Sequence, residues 1–259
     1  MAGLSTLLFD VDGTLAETEE THREAFNRSF AAAGLDWVWS KPLYAELLAV
    51  AGGKERIRFY LQRYRPELVA SMAQGDIIAD LHAGKTRFYT SMVESGEVAL
   101  RPGVKRLLDA ALNDGLRLAI ATTTTPANVA ALLRASLAPD AESWFEVIGA
   151  GGMVPSKKPA PDIYLYVMDK MKVAAGDCLA LEDSANGLRA ARAARLTTLV
   201  TVSEYTHDER FDGAALVLDH LGEPDLPFRV LAGDAGQQRY VTTELLRELH
   251  ARGVKARRS

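Results

Sequence analysis

The chain has 259 residues, 48% of them hydrophobic and 25% charged, with a formal net charge of −4. That length buries a substantial core, as one large domain or two smaller ones, and the composition is that of an ordinary globular protein. The mildly negative balance argues against a dedicated nucleic-acid binder, which needs a basic field to neutralise phosphates. The lone cysteine, Cys178, has no partner for an intrachain disulfide, and its apolar setting reads as a buried, inert thiol. No secretory leader pattern and no apolar run of membrane-spanning length stand out, so a cytoplasmic protein that engages neither membrane nor nucleic acid is expected.

The first element is a strand over Thr6–Asp10, which runs into Asp10-Val11-Asp12-Gly13-Thr14. Side chains two apart on a strand face the same side, so Asp10 and Asp12 share a face at its carboxyl end. An Asp- and Gly-rich turn accounts for the tetrapeptide in isolation, but not for its recurrence downstream. Helical patterns then dominate: Glu19–Ala32, Pro42–Leu48, Lys54–Tyr64 and Gly75–Val93. An all-helical insertion after a first strand reads as a cap, here residues 17–96, on tethers near Leu15–Thr18 and Glu94–Leu100. Trp37, Trp39 and Tyr44 read as packing inside it rather than as a sugar-stacking platform.

Strands at Arg117–Thr122, Phe145–Ala150, Cys178–Glu182 and Thr197–Val202 alternate with helices at Gly103–Asn113, Ala127–Ala135, Pro161–Met171 and Ser184–Arg195. The alternation predicts a Rossmann-like α/β core of residues 1–16 and 97–235, with a parallel sheet covered on both faces. Such sheets bind ligands beyond the carboxyl ends of their strands. After Pro224 the chain has loop chemistry. Residues 236–259 then form a helix, with Val241, Leu245, Leu246 and Leu249 on one side, and a basic, solvated tail.

Three later segments reach the same sheet edge as Asp10. Thr122-Thr123-Thr124-Thr125 precedes a helix at Pro126, where hydroxyls and free N–H groups make a phosphate cradle. Lys157-Lys158-Pro159-Ala160-Pro161 aims a lysine at an anion beside a helix start. Glu182-Asp183-Ser184 is a second strand end with paired acids. Two such ends at one edge suit a hard cation such as Mg²⁺, which takes a few carboxylates, waters and phosphate oxygens. Gly149-Ala150-Gly151-Gly152-Met153-Val154 lacks the third glycine of a dinucleotide fingerprint, and the five histidines have no metal-ligand spacing.

These four motifs, in this order, resemble those of the haloacid dehalogenase (HAD) superfamily of phosphotransferases. The insertion after the first motif resembles the helical cap of its β-phosphoglucomutase-like branch. Family register selects Lys158 rather than Lys157. Asp12–Glu20, Gly52-Gly53-Lys54-Glu55-Arg56, Ala121–Thr124 and Leu181–Ser184 are similar to the CbbY-type sugar bisphosphatases, which remove phosphate from xylulose-1,5-bisphosphate, a by-product that inhibits Rubisco.

The resemblance implies a HAD fold and a Mg²⁺-dependent phosphatase working through an aspartyl-phosphate. It makes Asp10 the nucleophile, Asp12 the acid and base, and Thr122 and Lys158 the holders of the phosphate oxygens. Mg²⁺ would lie among Asp10, the main-chain carbonyl of Asp12, Asp183 and Glu182, the last as a direct or an indirect ligand. Glu17, Thr18 and His22 would face the leaving sugar, with Gly53, Thr123 and Thr124 nearby. Lys54 is expected at the second phosphate, ahead of Lys85 and Arg87. A sugar bisphosphate is the expected partner of a monomer. The alternatives are a β-phosphoglucomutase-type mutase, against which Thr125 replaces the branch's lysine, and a non-catalytic sugar-phosphate binder, which would not need Asp10.

Overall fold

The computed structural model describes residues 3–69 and 77–256. β1 (Thr6–Phe9) is buried at every position, as an unbroken Leu7-Leu8-Phe9 run requires of a strand covered on both faces. It pairs in parallel with β2 (Arg117–Ala121) on one side and β4 (Cys178–Glu182) on the other. β3 (Val147–Gly149) extends the β2 side, and β5 (Thr197–Thr201) and β6 (Leu216–Leu218) extend the β4 side, all parallel. β7 (Val230–Gly233) adds an antiparallel edge, completing the order β3-β2-β1-β4-β5-β6-β7. The chain order turns at β1, so the carboxyl ends of β1, β2 and β4 meet where open α/β sheets bind ligands.

β7 corrects the reading of the stretch after Pro224 as loop. All its residues are exposed and it carries no alternating pattern. Its strand character comes from pairing with β6, across a register shift at Val217–Leu218, so tertiary pairing rather than local sequence makes it a strand.

Between β1 and β2 come α1 (Glu19–Ala32), α2 (Lys41–Leu47), α3 (Gly53–Tyr64) and α4 (Ile77–Glu94). The expected start of the last helix, at 75–76, lies outside the described residues. These helices enclose their own aromatic cluster, including Phe26, Phe30, Trp37, Trp39, Tyr44 and Tyr60. The Phe26 and Trp39 rings lie 4.6 Å apart, and those of Phe30 and Trp39 4.9 Å apart. Both tryptophans are therefore interior packing, in the tilted and edge-on geometries that aromatic quadrupoles favour. Ala25, Tyr89, Met92 and Val93 instead join the main core with Leu7, Phe9 and Leu15.

The sheet is covered by α5 (Val104–Asn113), α6 (Pro126–Ser136), α7 (Asp162–Met171), α8 (Ala185–Ala193) and α9 (Thr243–Ala256). Leu245, Leu246 and Leu249 are buried, as expected of the C-terminal helix, whereas Val241, expected on it, is buried just ahead of its start at Thr243; Arg257 and Arg258 lie outside the described residues. Cys178 is buried, and burial pushes its thiol up to about 12, which leaves it inert. Among the described residues no helix is long and apolar enough to cross a membrane.

Candidate active site

The site grows from strand ends. Asp10 leaves β1 with its N–H on Leu181 O at 3.0 Å, and the chain turns back at once, Gly13 N reaching Ala16 O at 2.8 Å. Gly13 has φ +79°, and a Cβ there would lie 2.0 Å from Asp183 Oδ2. Only glycine lets the two acid-bearing strand ends approach this closely. Thr122 continues β2, and its Oγ1 accepts from Thr124 N at 3.3 Å. Thr125 caps α6 by accepting from Asn128 N, and Ser184 caps α8 by accepting from Gly187 N, so two helix N-termini open onto the same edge.

Lys158 Nζ donates to Asp10 Oδ1 and to Glu182 Oε1, both at 2.6 Å. The Tyr164 hydroxyl donates to the same Glu182 oxygen, and Asp183 N lies 3.3 Å from Oε2. Asp183 Oδ2 accepts from Ser203 Oγ at 2.8 Å. Asp10, Glu182 and Asp183 are buried, with ligand atoms within 4.8 Å of one another. Burial, reinforced by Glu182 and Asp12 and opposed by Lys158, pushes the Asp10 carboxyl up to about 7. Burial, with Asp10 and Glu182 beside it, pushes Asp183 well above the carboxylate range. The two acids also hold the Lys158 ammonium charged despite its burial.

One lysine cannot neutralise three ionised carboxylates, and a hard divalent cation suits that charge deficit and an all-oxygen donor set. Asp10 Oδ2 and Asp183 Oδ1 remain uncommitted among the described residues, whereas both Glu182 oxygens are occupied. Glu182 thus meets Lys158, Tyr164 and the Asp183 N–H, while it also lies within reach of the same cation as Asp10 and Asp183.

Asp12 has different surroundings. Its Oδ1 accepts from Thr18 Oγ1 at 2.5 Å and from His22 Nε2 at 2.9 Å. Lys85 Nζ approaches His22 Nδ1 at 2.6 Å. A lysine donor at Nδ1 and a carboxylate at Nε2 select the neutral Nε2–H tautomer. Burial, then repulsion from Lys85, lowers the His22 pKa, and burial lowers Lys85 to about 7. Burial raises the proton affinity of Asp12, but His22 and then Thr18 outweigh it and hold the carboxyl down to about 2. Thr18 and His22, expected at the sugar, thus support Asp12. They sit four apart at the start of α1, on one face, and His22 stacks on Tyr89 at 4.1 Å.

A cleft over these groups is lined by Asp10, Asp12, Thr122, Thr123, Lys158 and Asp183 on one wall and by Glu19 and Arg56 on the other. A second cleft shares Asp12, Glu19, Arg56 and Thr123 and adds Gly53, Thr124, His22, His82 and Lys85. Three expected substrate residues, Glu17, Thr18 and Lys54, line neither. Glu17 Oε1 lies 3.2 Å from Arg101 Nε. That buried guanidinium also holds Gly13 O, Thr201 O, Val202 O and Asp219 O, and its charge draws Glu17 away from the cleft. Lys54 is exposed. On a helix, two residues turn through about 200°, so Arg56 points where Lys54 does not. Arg87 lines a separate groove with Ser29 and Phe88.

Arg56 donates to Tyr44 OH at 2.9 Å, Leu47 O at 3.2 Å and Val50 O at 3.3 Å. A guanidinium has five N–H groups, so two remain for an anion. The sequence reading passed over Arg56, Glu19, His82, Tyr164 and Ser203. Ser203 was legible from its place after β5, the same edge as Asp10. Arg56 was legible only with the start of α3 known, because it shares the face of Gly53 three residues earlier.

A family model for haloacid dehalogenase-like hydrolases matches residues 4–195. Protein CbbY, plasmid, of Cupriavidus necator is 52% identical over 224 residues, 86% of this chain and 88% of that protein. The crystal structure of CbbY from Rhodobacter sphaeroides in complex with phosphate matches with a TM-score of 0.78 at 47% identity, covering 84% of this chain and 94% of that one. A mutant of that protein in complex with xylulose-1,5-bisphosphate matches with a TM-score of 0.78 at 46% identity, with the same coverage. The matched span takes in Asp10, Thr122, Lys158, Glu182 and Asp183, and on that match and those relatives the chain belongs to the haloacid dehalogenase-like hydrolases.

Proposed function

We propose that this hydrolase is a Mg²⁺-dependent sugar-bisphosphate phosphatase acting on xylulose-1,5-bisphosphate through an aspartyl-phosphate on Asp10. The observation that carries this is one cleft with two cationic poles, Lys158 beside Asp10 and Arg56 on the opposite wall. The xylulose-1,5-bisphosphate complex of a CbbY relative supports the choice of sugar.

In this reading the Asp10 carboxylate attacks phosphorus, as carboxylate nucleophiles do. Lys158 and the Thr122 hydroxyl hold the transferring oxygens where charge builds. Glu182 and Tyr164 keep Lys158 aimed. Asp12 is ionised in the resting site, and the negative charge of an arriving phosphate raises its proton affinity. It can then protonate the leaving sugar oxygen and later take a proton from the attacking water, a role worth about 10²–10⁴ in rate. Mg²⁺, when bound by Asp10, Asp183 and the Asp12 carbonyl, offsets negative charge at the transferring phosphate. Helices in residues 17–96 act as the cap, with Arg56 holding the distal phosphate and Gly53, Thr123 and Thr124 lining the sugar's path.

The test is phosphate release with Mg²⁺ from xylulose-1,5-bisphosphate, ribulose-1,5-bisphosphate, fructose-1,6-bisphosphate and β-glucose-1-phosphate. Preference for the first is expected; sugar interconversion without phosphate release overturns the proposal. Arg56→Ala should raise KM for the bisphosphate about tenfold or more, as loss of a charge-assisted pair does, and change a monophosphate far less. Lys54→Ala should leave both within about twofold, the scale of an exposed charge. Steady-state kinetics on matched mono- and bisphosphates decide between them.

The buried acids also predict a metal response independent of turnover. Asp10 and Asp183 titrate higher in the folded protein than in the unfolded chain. The folded state therefore retains protons that the unfolded state loses, and stability without metal falls as pH rises from about 4 towards 7. Mg²⁺ binds the ionised acids, so it should raise the thermal midpoint by several degrees at pH 8 and clearly less at pH 5.5. A chelator should reverse the shift. A midpoint indifferent to Mg²⁺ at pH 8 would remove the metal from this site.

A further inference from the structure

Glu55 and Lys157 adjoin, in sequence, the two cations on opposite walls of the cleft, Arg56 and Lys158. Glu55 is in the first turn of α3, next to Arg56, and Lys157 directly precedes Lys158. Lys157 Nζ donates to Glu55 Oε2 at 2.5 Å. Neither side chain lines the cleft itself, so each charge is directed at the other and not at a ligand. The backbone is shaped around the pair. Gly52 has φ +97°, and a Cβ there would lie 2.2 Å from Lys157 Nζ and 2.3 Å from Glu55 Oε2. The two walls also meet elsewhere, where Tyr205 OH donates to Glu20 Oε2 at 2.7 Å and Lys41 pairs with Glu204 at 3.5 Å. Those contacts involve no neighbour of Arg56 or Lys158.

We infer that the Glu55–Lys157 pair is a spacer that sets the separation of Arg56 and Lys158, and so selects the span between the two phosphates of the substrate. The inference rests on Arg56 holding the distal phosphate. Each partner of the pair is one peptide unit from a phosphate-holding cation. A change in the pair therefore moves the two poles relative to each other without touching either. The pair is partly exposed, 26% for Lys157 and 41% for Glu55, so its worth to folding is small and its variants fold. Glu55 also neutralises Lys157, which would otherwise present a second cation beside Lys158 and blur the distinction between one phosphate and two.

The test is a double-mutant cycle on Glu55→Gln and Lys157→Met, with the charge swap Glu55→Lys/Lys157→Glu. Each single variant should raise KM for the bisphosphate about fivefold, the scale of one partly exposed pair, with kcat within twofold. The corresponding monophosphate, which spans only the Lys158 end, should show a smaller KM change. The double variant should be no worse than either single one, and the swap should recover most of the loss. Equal KM changes on both substrates, additive singles or a swap without recovery would overturn the spacer. Arg56→Ala keeps the two readings apart. If it fails to separate mono- from bisphosphate, the functional reading falls; if it separates them while the Glu55 and Lys157 variants do not, only the spacer falls.

Discussion

Asp10→Asn is expected to abolish Mg²⁺-dependent phosphate release, by about 10⁴-fold or more, and to leave the fold intact. The two expectations have one physical origin. Asparagine matches the shape of aspartate, and its amide oxygen can still accept the Lys158 hydrogen bond now made at 2.6 Å. It lacks the ionised oxygen that would attack phosphorus. It also lacks the charge on which burial acts, the charge whose cost lifts Asp10 to about 7. In metal-free buffer the variant's thermal midpoint should therefore equal or exceed that of the unmodified chain, while its response to Mg²⁺ shrinks. Phosphate release and thermal unfolding of the same preparation settle the point. A folded variant that keeps more than about a hundredth of the rate would remove Asp10 as nucleophile.

Lys158→Met should cost about 10²–10³ in rate, the usual loss for one donor aimed at developing charge. Unlike the first variant, it should also destabilise the protein. Asp10 and Glu182 share this ammonium inside the fold, and breaking a buried pair costs about 3–5 kcal/mol when the remaining charges stay ionised. The acids can escape that cost by taking up protons. The destabilisation should therefore be greatest near pH 8 and shrink as pH falls through the raised carboxyl values towards 5. Urea unfolding at the two pH values measures it. Added Mg²⁺ should restore stability in part, because it too offsets the acids, but not the rate. A loss in rate below about tenfold would mean that Lys158 only neutralises the site and does not hold the phosphate.

The strand ends were legible in the sequence because a strand has a period of two and a parallel sheet has one functional edge. Asp10, Thr122, Glu182 and Asp183 follow from those two rules, with no knowledge of the loops between them. The helical segment was less legible, for reasons of angle and partner. Telling which of Lys54 and Arg56 faces the cleft needed the helix start to within a residue, since each residue turns the side chain by about 100°. Glu17 falls outside the cleft because its partner, Arg101, comes from beyond the whole helical segment and is fixed by carbonyls of three separate segments, at Gly13, Thr201–Val202 and Asp219. Thr18, His22 and Lys85 carry suitable chemistry, but a sequence does not say whether a polar side chain faces a ligand or an aspartate. β7 was invisible because nothing in its own residues calls for a strand.

The central position of β1 has a consequence for how this chain is made. Leu7, Leu8 and Phe9 leave the ribosome well before their partners, Arg117 to Ile120 and Cys178 to Leu181. Contacts so distant in sequence form slowly, because a long loop must close before any pairing rewards it. The helices of residues 19–94 meet no such delay among themselves, since much of their aromatic cluster is built from neighbours in the chain. During synthesis they can settle while the apolar strand ahead of them is still bare, the kind of exposed segment on which nascent chains aggregate and chaperones act. Asp10 is thus translated long before β4 and must wait for it before its acidic neighbours Glu182 and Asp183 exist.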